Sequence, residues 1–308
     1  MKQVLLNAVC VFGVCFSSVP ALAKEVPSTT EEAKTVDELV AAFSNVEFSW
    51  QQGDIARELV ALGNPAIIPK MERLLGTEDR RRRCNAALVL AGLGDKRGLA
   101  IIIDELEDKN PRPTDMTRSD GRPYPEGQIR ADRYYAALLL GRIGDKEAVP
   151  ALIEATKDET IHYRAASSLG EIGDRSAIPA LRTMAKDFPD ERLWAGYGLA
   201  ALGEQEGFDI LAEVIVSDSC WVERRHAVRA LGKIGHPKSV PTVVKALKDE
   251  HVNVRVTAAR ALGAIGDSSA LPALLDALND TEVTKLHTPT TVENEARKAI
   301  EAIEANEK

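Results

Sequence analysis

The sequence predicts an all-α fold, a solenoid of about seven helix pairs closed by an end cap, and three observations lead to it. Hydrophobic residues make up 44% of the 308 residues but aromatic ones only 5%, which suits thin helices packed side by side. A glycine-centred element recurs about every 30 residues, and a proline follows most of its copies at a fixed distance. A period of this length indicates stacked supersecondary units rather than one closed core.

The repeated element is an Ala-rich stretch, then Leu-Gly-x-Ile-Gly-Asp, then an Ala-Val-Pro-x-Leu stretch. It is plainest in AASSLGEIGDRSAIPAL and in AARALGAIGDSSALPAL. Seven copies end at a glycine, and these closing glycines are Gly63, Gly94, Gly144, Gly173, Gly203, Gly235 and Gly266. They are 31, 50, 29, 30, 32 and 31 residues apart, so the second interval alone contains an insertion.

Each copy is explained by two helices and a tight corner. The closing glycine ends the first helix, because glycine adopts the left-handed conformation at little cost. In four copies an aspartate follows, which can cap the next turn: Asp95, Asp145, Asp174 and Asp267. A proline then falls in the opening turn of the second helix, where no backbone donor is needed: Pro69, Pro150, Pro179, Pro241 and Pro272.

These residues resemble HEAT-like repeats of the type first named for phycobilisome lyases, over roughly Val46 to Ala305. The resemblance implies a right-handed α-α superhelix, with the first helices outside and the second helices lining a concave face. It implies no single function, because repeats of this kind serve as scaffolds, adaptors and a few enzymes. The last unit has Glu301 and Glu304 in place of glycines, as expected of a polar end cap.

The first residues form a separate segment. Lys2 precedes an apolar run from Val4 to Phe16, and a small-residue stretch ends at Ala23, the order of a cleavable secretory signal. A membrane anchor is the alternative, but the run is much shorter than the roughly 20 residues that cross a bilayer. We therefore expect an exported protein, periplasmic or extracellular, without a membrane span in the mature chain. Its segments would be a signal peptide at 1–23, a flexible linker at 24–35 and the repeat solenoid at 36–308.

The mature chain would carry a marked negative charge. Loss of Lys2 leaves 38 Lys and Arg against 47 Asp and Glu, a net charge of −9. Such a surface repels phosphate backbones. We therefore expect no nucleic-acid partner.

Two cysteines, Cys84 and Cys220, remain outside the leader. They belong to units four layers apart, roughly 40 Å at the usual spacing of packed helices, whereas a disulfide needs Cα atoms within about 7 Å. We expect two free thiols.

An arginine recurs eleven residues before the closing glycine, and His162 takes this place once. The arginines are Arg83, Arg133, Arg192, Arg224 and Arg255. Asp249 lies six residues before one of them and could pair with it or with the arginine of the neighbouring unit. We interpret the column as a structural ladder that ties unit to unit rather than as a ligand site.

The insertion at 108–132 contains four prolines, two glycines and four arginines, and we do not expect it to form a helix. Long loops in compact repeats are commonly functional or else disordered, and the sequence leaves both open. The scarce large rings gather at this edge, and packing between helices is the alternative for Tyr135 and Trp194. We predict a rim that binds a protein or peptide, formed by Arg122, Tyr124, Tyr134, Tyr163 and Trp221.

Motifs typical of enzymes are absent from the sequence, including a P-loop, a dinucleotide-binding glycine pattern, a paired-cysteine metal site and a G-x-S-x-G elbow. Deoxyhypusine hydroxylase, built of similar units, holds two irons through His-Glu pairs. This sequence has no His-Glu dipeptide, and His226-Ala227 stands where such a pair would lie. We expect no catalytic residue, metal or other cofactor, and a scaffold that binds a protein or peptide at the insertion edge or the concave face. An oxidoreductase or bilin lyase of the same fold is the alternative.

Overall fold

The computed structural model describes residues 35–46, 49–111, 114, 117, 121–217, 220–284 and 289–306. The expected leader at 1–23 and nearly all of the expected linker at 24–35 lie outside these residues. Thr35 is described, and it caps the first helix through a reciprocal capping box with Glu38.

Sixteen α-helices follow one another along the described chain. They are α1 (Val36–Asn45), α2 (Ser49–Leu62), α3 (Ile68–Glu72), α4 (Arg80–Gly92), α5 (Lys96–Glu107), α6 (Pro125–Ile143), α7 (Val149–Ala155), α8 (His162–Ile172), α9 (Ile178–Asp187), α10 (Arg192–Ala201), α11 (Gln205–Val216), α12 (Trp221–Ile234), α13 (Val240–Ala246), α14 (Val252–Ile265), α15 (Leu271–Ala277) and α16 (Val292–Asn306). Within these described residues there are two isolated β-bridges and no strand. The predicted all-α superhelix is confirmed.

Seven helix pairs run from α2 to α15, with α1 before them and α16 closing the stack. In each pair the first helix has an even number and the second an odd number, so α2 and α3 form unit 1 and α14 and α15 form unit 7. One core of buried side chains runs from Leu39 to Leu202 and a second from Leu193 to Ile303. Trp194 packs against both, so the two cores are continuous through α10.

The corners of the units have the predicted chemistry. All seven closing glycines have positive φ angles, from 60° at Gly63 to 85° at Gly94. The four predicted aspartates accept a hydrogen bond from the amide two residues ahead, and Asn64 and His236 do the same where the aspartate is missing. The five prolines lie in the opening turns of the second helices, as predicted.

The prediction that the insertion at 108–132 forms no helix is wrong for its last eight residues, because α6 begins at Pro125. Proline suits the first turn of a helix, where its missing N–H has no partner to lose. The ring of Tyr124 packs on Gly127, where a Cβ would lie only 2.4 Å from it. The helix therefore starts beneath an aromatic ring that the turn pattern did not indicate.

Each arginine of the ladder pairs with a carboxylate at the end of the second helix of its own unit. The pairs are Arg83 with Glu105 at 3.1 Å, Arg133 with Asp158 at 2.7 Å, Arg192 with Glu213 at 2.8 Å, Arg224 with Asp249 at 2.7 Å and Arg255 with Asp280 at 2.6 Å. The Nη1 of Arg255 also donates to the backbone carbonyl of Asp249 at 2.8 Å. One aspartate thus connects the arginines of units 6 and 7.

Successive first helices pack directly against each other through small residues. A Cβ on Gly170 would lie 3.0 Å from the Cα of Gly198, and a Cβ on Gly232 would lie 2.8 Å from the Cα of Ala261. These distances are shorter than ordinary contacts, so no larger side chain fits without moving a helix. Second helices of neighbouring units touch each other less.

The first helices line the concave face, and the arrangement implied by the resemblance is wrong on this point. Lys233 Nζ on α12 lies 2.6 Å from Glu171 Oε1 on α8, although α10 stands between those helices. Packed helices are about 8–10 Å apart, so side chains from units two apart meet only where the stack curves inward. The close glycine contacts explain this, because the layer with the shorter spacing lies inside the curve.

The described cysteines are free, as predicted: Cys84 is buried and Cys220 is exposed. Burial raises the pKa of the Cys84 thiol to about 12, so it is a thiol rather than a thiolate at pH 7. None of the described helices is both long enough and apolar enough to span a bilayer.

Replacement of Arg224 by alanine should destabilise the protein by about 3 kcal/mol, because it leaves a buried carboxylate without its partner. The side chains of Arg224 and Asp249 are only 8% and 7% exposed. Urea unfolding measures the loss. The control is Lys157→Ala, which removes an ion pair with Glu154 whose two side chains are 68% and 73% exposed, and it should change stability by less than about 1 kcal/mol. Equal effects of the two changes would contradict a structural role for the ladder.

Candidate functional site

The concave face is built from four positions in each first helix. They lie ten, nine, six and two residues before the closing glycine, a spacing that places them along one side of a helix. In units 3 to 6, the first helices α6, α8, α10 and α12 bring these positions side by side. We call this surface the groove.

Aromatic rings form a ladder along the groove, one from each of four consecutive units. The ring centroids of Tyr134 and Tyr163 are 5.7 Å apart, those of Tyr163 and Trp194 5.9 Å, and those of Trp194 and His226 5.6 Å. All four side chains are half-buried. These separations are within the range of favourable aromatic contact, so the ladder is a continuous ring surface partly open to solvent.

An ionic network lies beside the rings at the bottom of the groove. Arg164 donates to Glu171 Oε2 at 2.7 Å and to the hydroxyl of Ser168 at 3.1 Å, and Lys233 approaches Glu171 Oε1 at 2.6 Å. The ammonium of Lys233 also lies 5.3 Å from the ring centroid of Tyr197. Burial alone would raise the pKa of Glu171, but Arg164 and Lys233 outweigh it and lower the pKa below 4.5. Glu171 is therefore ionised at pH 7.

An open pocket lies at the centre of the groove, between Trp194, Tyr197, His226, Arg229 and Lys233. Burial, followed by the charges of Arg225 and Arg229, lowers the pKa of His226 to about 4. Its ring is therefore neutral at pH 7 and serves as the fourth ring of the ladder rather than as a cation.

One further tyrosine on α6, Tyr135, packs against the neighbouring unit. Tyr135 is half-buried and donates its hydroxyl proton to Asn85 Oδ1 on α4 at 2.5 Å. Burial raises the pKa of Tyr135 and of Tyr163 to about 12. Both phenols are therefore protonated at neutral pH and present a neutral hydroxyl.

The predicted rim residues fall into separate places. Tyr134 and Tyr163 meet as neighbours in the ladder. Trp221 begins α12 and stacks on His251, with ring centroids 4.0 Å apart, so it contacts the next unit instead. Arg122 is exposed on the insertion, where it precedes the described start of α6. Tyr124 is half-buried on the first turn of α6, as described above.

The charged residues of the groove were not predicted from the sequence, among them Arg142, Arg164, Glu171 and Lys233. A signal was present, because Arg142, Glu171 and Lys233 all lie two residues before their closing glycines. The signal was not recognised because the residue at this position differs from unit to unit. Such variation is also typical of an ordinary solvent-exposed surface. Among the described residues, no group of three or more His, Cys, Asp or Glu side chains is placed to hold a metal ion.

The family model for HEAT repeats matches residues 129–203 and 208–287, about half of the chain. The chain is a HEAT-repeat protein. The matched stretches contain all four rings of the ladder, so the groove of this HEAT-repeat protein lies within the repeats themselves. No curated protein sequence matches it significantly.

Several solved structures are similar to this HEAT-repeat protein. The CpcE and CpcF complex of phycocyanin lyase from Nostoc is 19% identical, with 92% of this chain and 98% of that chain covered and a TM-score of 0.45. Human deoxyhypusine hydroxylase is 20% identical, with 88% and 96% covered and a TM-score of 0.35. A designed armadillo repeat protein in complex with the peptide (KR)4 is 14% identical, with 88% and 100% covered and a TM-score of 0.34. These similarities concern the fold alone.

Stability should fall in two stages as the pH is lowered. The pKa of His226 is about 4 in the folded protein against 6.5 for an ordinary histidine, so the unfolded chain binds the proton first and stability is lost from about pH 6.5 downward. Carboxylates whose folded pKa is lowered, including Glu171 and Asp249, add a second loss below their ordinary values near 4. Urea unfolding at a series of pH values measures both stages.

The variant His226→Gln should reduce the first stage, to which His251 also contributes because burial lowers its pKa too, and should leave the second stage unchanged. Lys157→Gln, far from the groove, serves as the control and should reproduce the wild-type profile. A wild-type stability that stays constant between about pH 6.5 and pH 5 would contradict a buried, neutral histidine in the ladder.

Proposed function

We propose that this HEAT-repeat protein is a non-catalytic scaffold that binds a protein or peptide segment along the groove. The observation that carries the proposal is the ladder of four half-buried rings, one from each of units 3 to 6. Aromatic side chains dominate the binding energy of many protein interfaces, because they bury a large area with little loss of side-chain entropy.

The spacing of the rings suits an extended polypeptide. Successive centroids are 5.6 to 5.9 Å apart, and side chains on one side of an extended chain are about 6.6 Å apart, since each residue advances about 3.3 Å. A ligand strand lying across the units could thus place every second side chain against or between rings. Two rings would contact only one side chain of the ligand, whereas four rings contact several side chains along a segment.

The groove replaces the insertion edge as the proposed contact surface. Of the rim residues, Tyr134 and Tyr163 are retained in the proposal because they belong to the ladder. Trp221 is not retained, since its ring is already stacked on His251. Arg122 and Tyr124 precede α6 and are not part of the ladder, so they are not retained either.

Binding can be tested by selecting a displayed library of random twelve-residue peptides on the purified chain from Lys24 onward. Sequences should be enriched on the wild type and lost on Tyr163→Ala and Trp194→Ala, since each change removes a ring from the ladder. The matched control is Trp221→Ala, which removes a ring of the same size outside the ladder and should keep the enriched sequences. All variants must first show wild-type helical circular dichroism.

Absence of enrichment would contradict the proposed function. Enrichment that survives Trp194→Ala but is lost with Trp221→Ala would move the site to the far edge. Retention of binding by all three variants would place the contact on the outer, second-helix face.

We further propose export, because the order of charge, apolar run and small residues at 1–23 is that of a secretory signal. Expression of the full chain in a Gram-negative host should give a periplasmic protein that begins at Lys24, as measured by intact mass. Replacing Ala21 and Ala23 with bulky residues should block processing, because signal peptidase sites require small residues. A full-length, membrane-retained protein would contradict a cleavable signal.

A further inference from the structure

We propose that the occupant of the groove is an acidic polypeptide segment in extended conformation, whose carboxylates pair with the groove cations while alternate side chains pack on the rings. This inference rests on the proposed function and names the class of partner for the same surface.

The side chains at the groove positions are mostly positive, whereas the chain as a whole is negative. The whole chain has a formal net charge of −8. Among the groove positions of units 3 to 6, Glu171 is the one carboxylate, and the cations are Arg142, Arg164, Arg225, Arg229 and Lys233. A negatively charged protein that gathers cations on one concave face attracts an anionic partner there and repels it elsewhere.

The one carboxylate at the groove positions, Glu171, is already paired with two cations. Glu171 accepts from Arg164 through one oxygen and from Lys233 through the other. Arg142 lies at the equivalent position of the neighbouring first helix and has no carboxylate in an ion pair with it among the described residues.

Two guanidinium groups of the groove lack hydrogen-bond partners in whole or in part among the described residues. Arg142 is half-buried and makes no hydrogen bond or ion pair with any described residue, and burial lowers its pKa. Arg164 is almost fully buried, with 1% of its side chain exposed, and its Nη1 has no hydrogen-bond partner among the described groups. Desolvating a cation without full pairing costs free energy. A carboxylate entering the groove would reduce this cost by supplying charge-assisted hydrogen bonds.

Single-stranded nucleic acids also bind to rings and cations, but the surroundings of the groove favour a polypeptide. Acidic side chains lie around the starts of the first helices of units 5 and 6, where burial, followed by the charges of Asp190 and Glu191, raises the pKa of Glu223. A phosphate backbone, charged at every nucleotide, would meet these carboxylates as it left the groove. A polypeptide can confine its carboxylates to the stretch inside the groove.

The test uses three labelled peptides of twelve residues, in which three central copies of Glu-Phe, Gln-Phe or Lys-Phe are flanked on each side by Gly-Ser-Gly, so that the charges stay within the stretch that the groove covers. Fluorescence anisotropy with the full mature protein measures their affinities at low and physiological salt. We expect the Glu peptide to bind about tenfold or more tightly than the Gln peptide, with the difference shrinking at higher salt, and the Lys peptide to bind least.

Variants then assign the effect to the groove. The double change Arg142→Gln and Arg229→Gln should weaken the Glu peptide about tenfold or more and leave the Gln peptide nearly unchanged. Lys157→Gln removes one positive charge from the exposed end of a second helix and should change neither. Thermal unfolding of each variant must remain cooperative, so that a loss of affinity is not a loss of fold.

Equal binding of the Glu and Gln peptides would overturn the inference that the partner is acidic. If the peptide library is enriched as described, the groove would still be a peptide-binding site. Displacement of the Glu peptide by a twelve-nucleotide oligo(dT) at physiological salt would overturn the inference of an acidic polypeptide and favour a single-stranded nucleic acid as the partner. The library result alone tests the proposed function, and an absence of enrichment would contradict that function whatever the three labelled peptides show.

Discussion

Direct contact between successive first helices is the constraint on which the curvature, the groove and the ring ladder depend. Glycine and alanine at the crossing points let the backbones approach closely, as between Gly232 and Ala261 and between Gly263 and Ala299. The second helices are held further apart, so the stack bends toward the first helices. Only this bend brings Lys233 to Glu171 across an intervening unit and the four rings into one series.

The arginine ladder holds the first helices of units 2, 3, 5, 6 and 7 against their own second helices, at the opposite end from the closing glycine. Because its arginines pair within or between adjacent units, they fix the rotation of the first helices without occupying the groove. The rings lie one or two residues after this column in sequence, as Tyr134 follows Arg133 and His226 lies two residues after Arg224. A buried ion pair thus determines which side chains face the groove, while the outer surface carries the excess negative charge.

Local features of the fold could be read from the sequence, and the curvature could not. Closing glycines and opening prolines act within a few residues, so the corners and helix starts were predicted correctly. The concave face depends on the difference in spacing between two layers of helices, which no single repeat encodes. The start of α6 was missed because Pro125 and Gly127 indicate a turn unless the packing of Tyr124 is known. The groove cations were missed for a related reason, since their common face appears only when units are stacked.

The most direct measurement of the central claim is the indole N–H signal of each tryptophan in a nitrogen-15 NMR spectrum, during titration with a peptide selected on the wild-type protein. Trp194 lies in the ladder between Tyr163 and His226, whereas Trp221 is stacked on His251 outside it. We predict that the Trp194 signal shifts in a saturable manner while that of Trp221 stays in place. A saturable shift of Trp221 with Trp194 unmoved would contradict the groove as the binding surface.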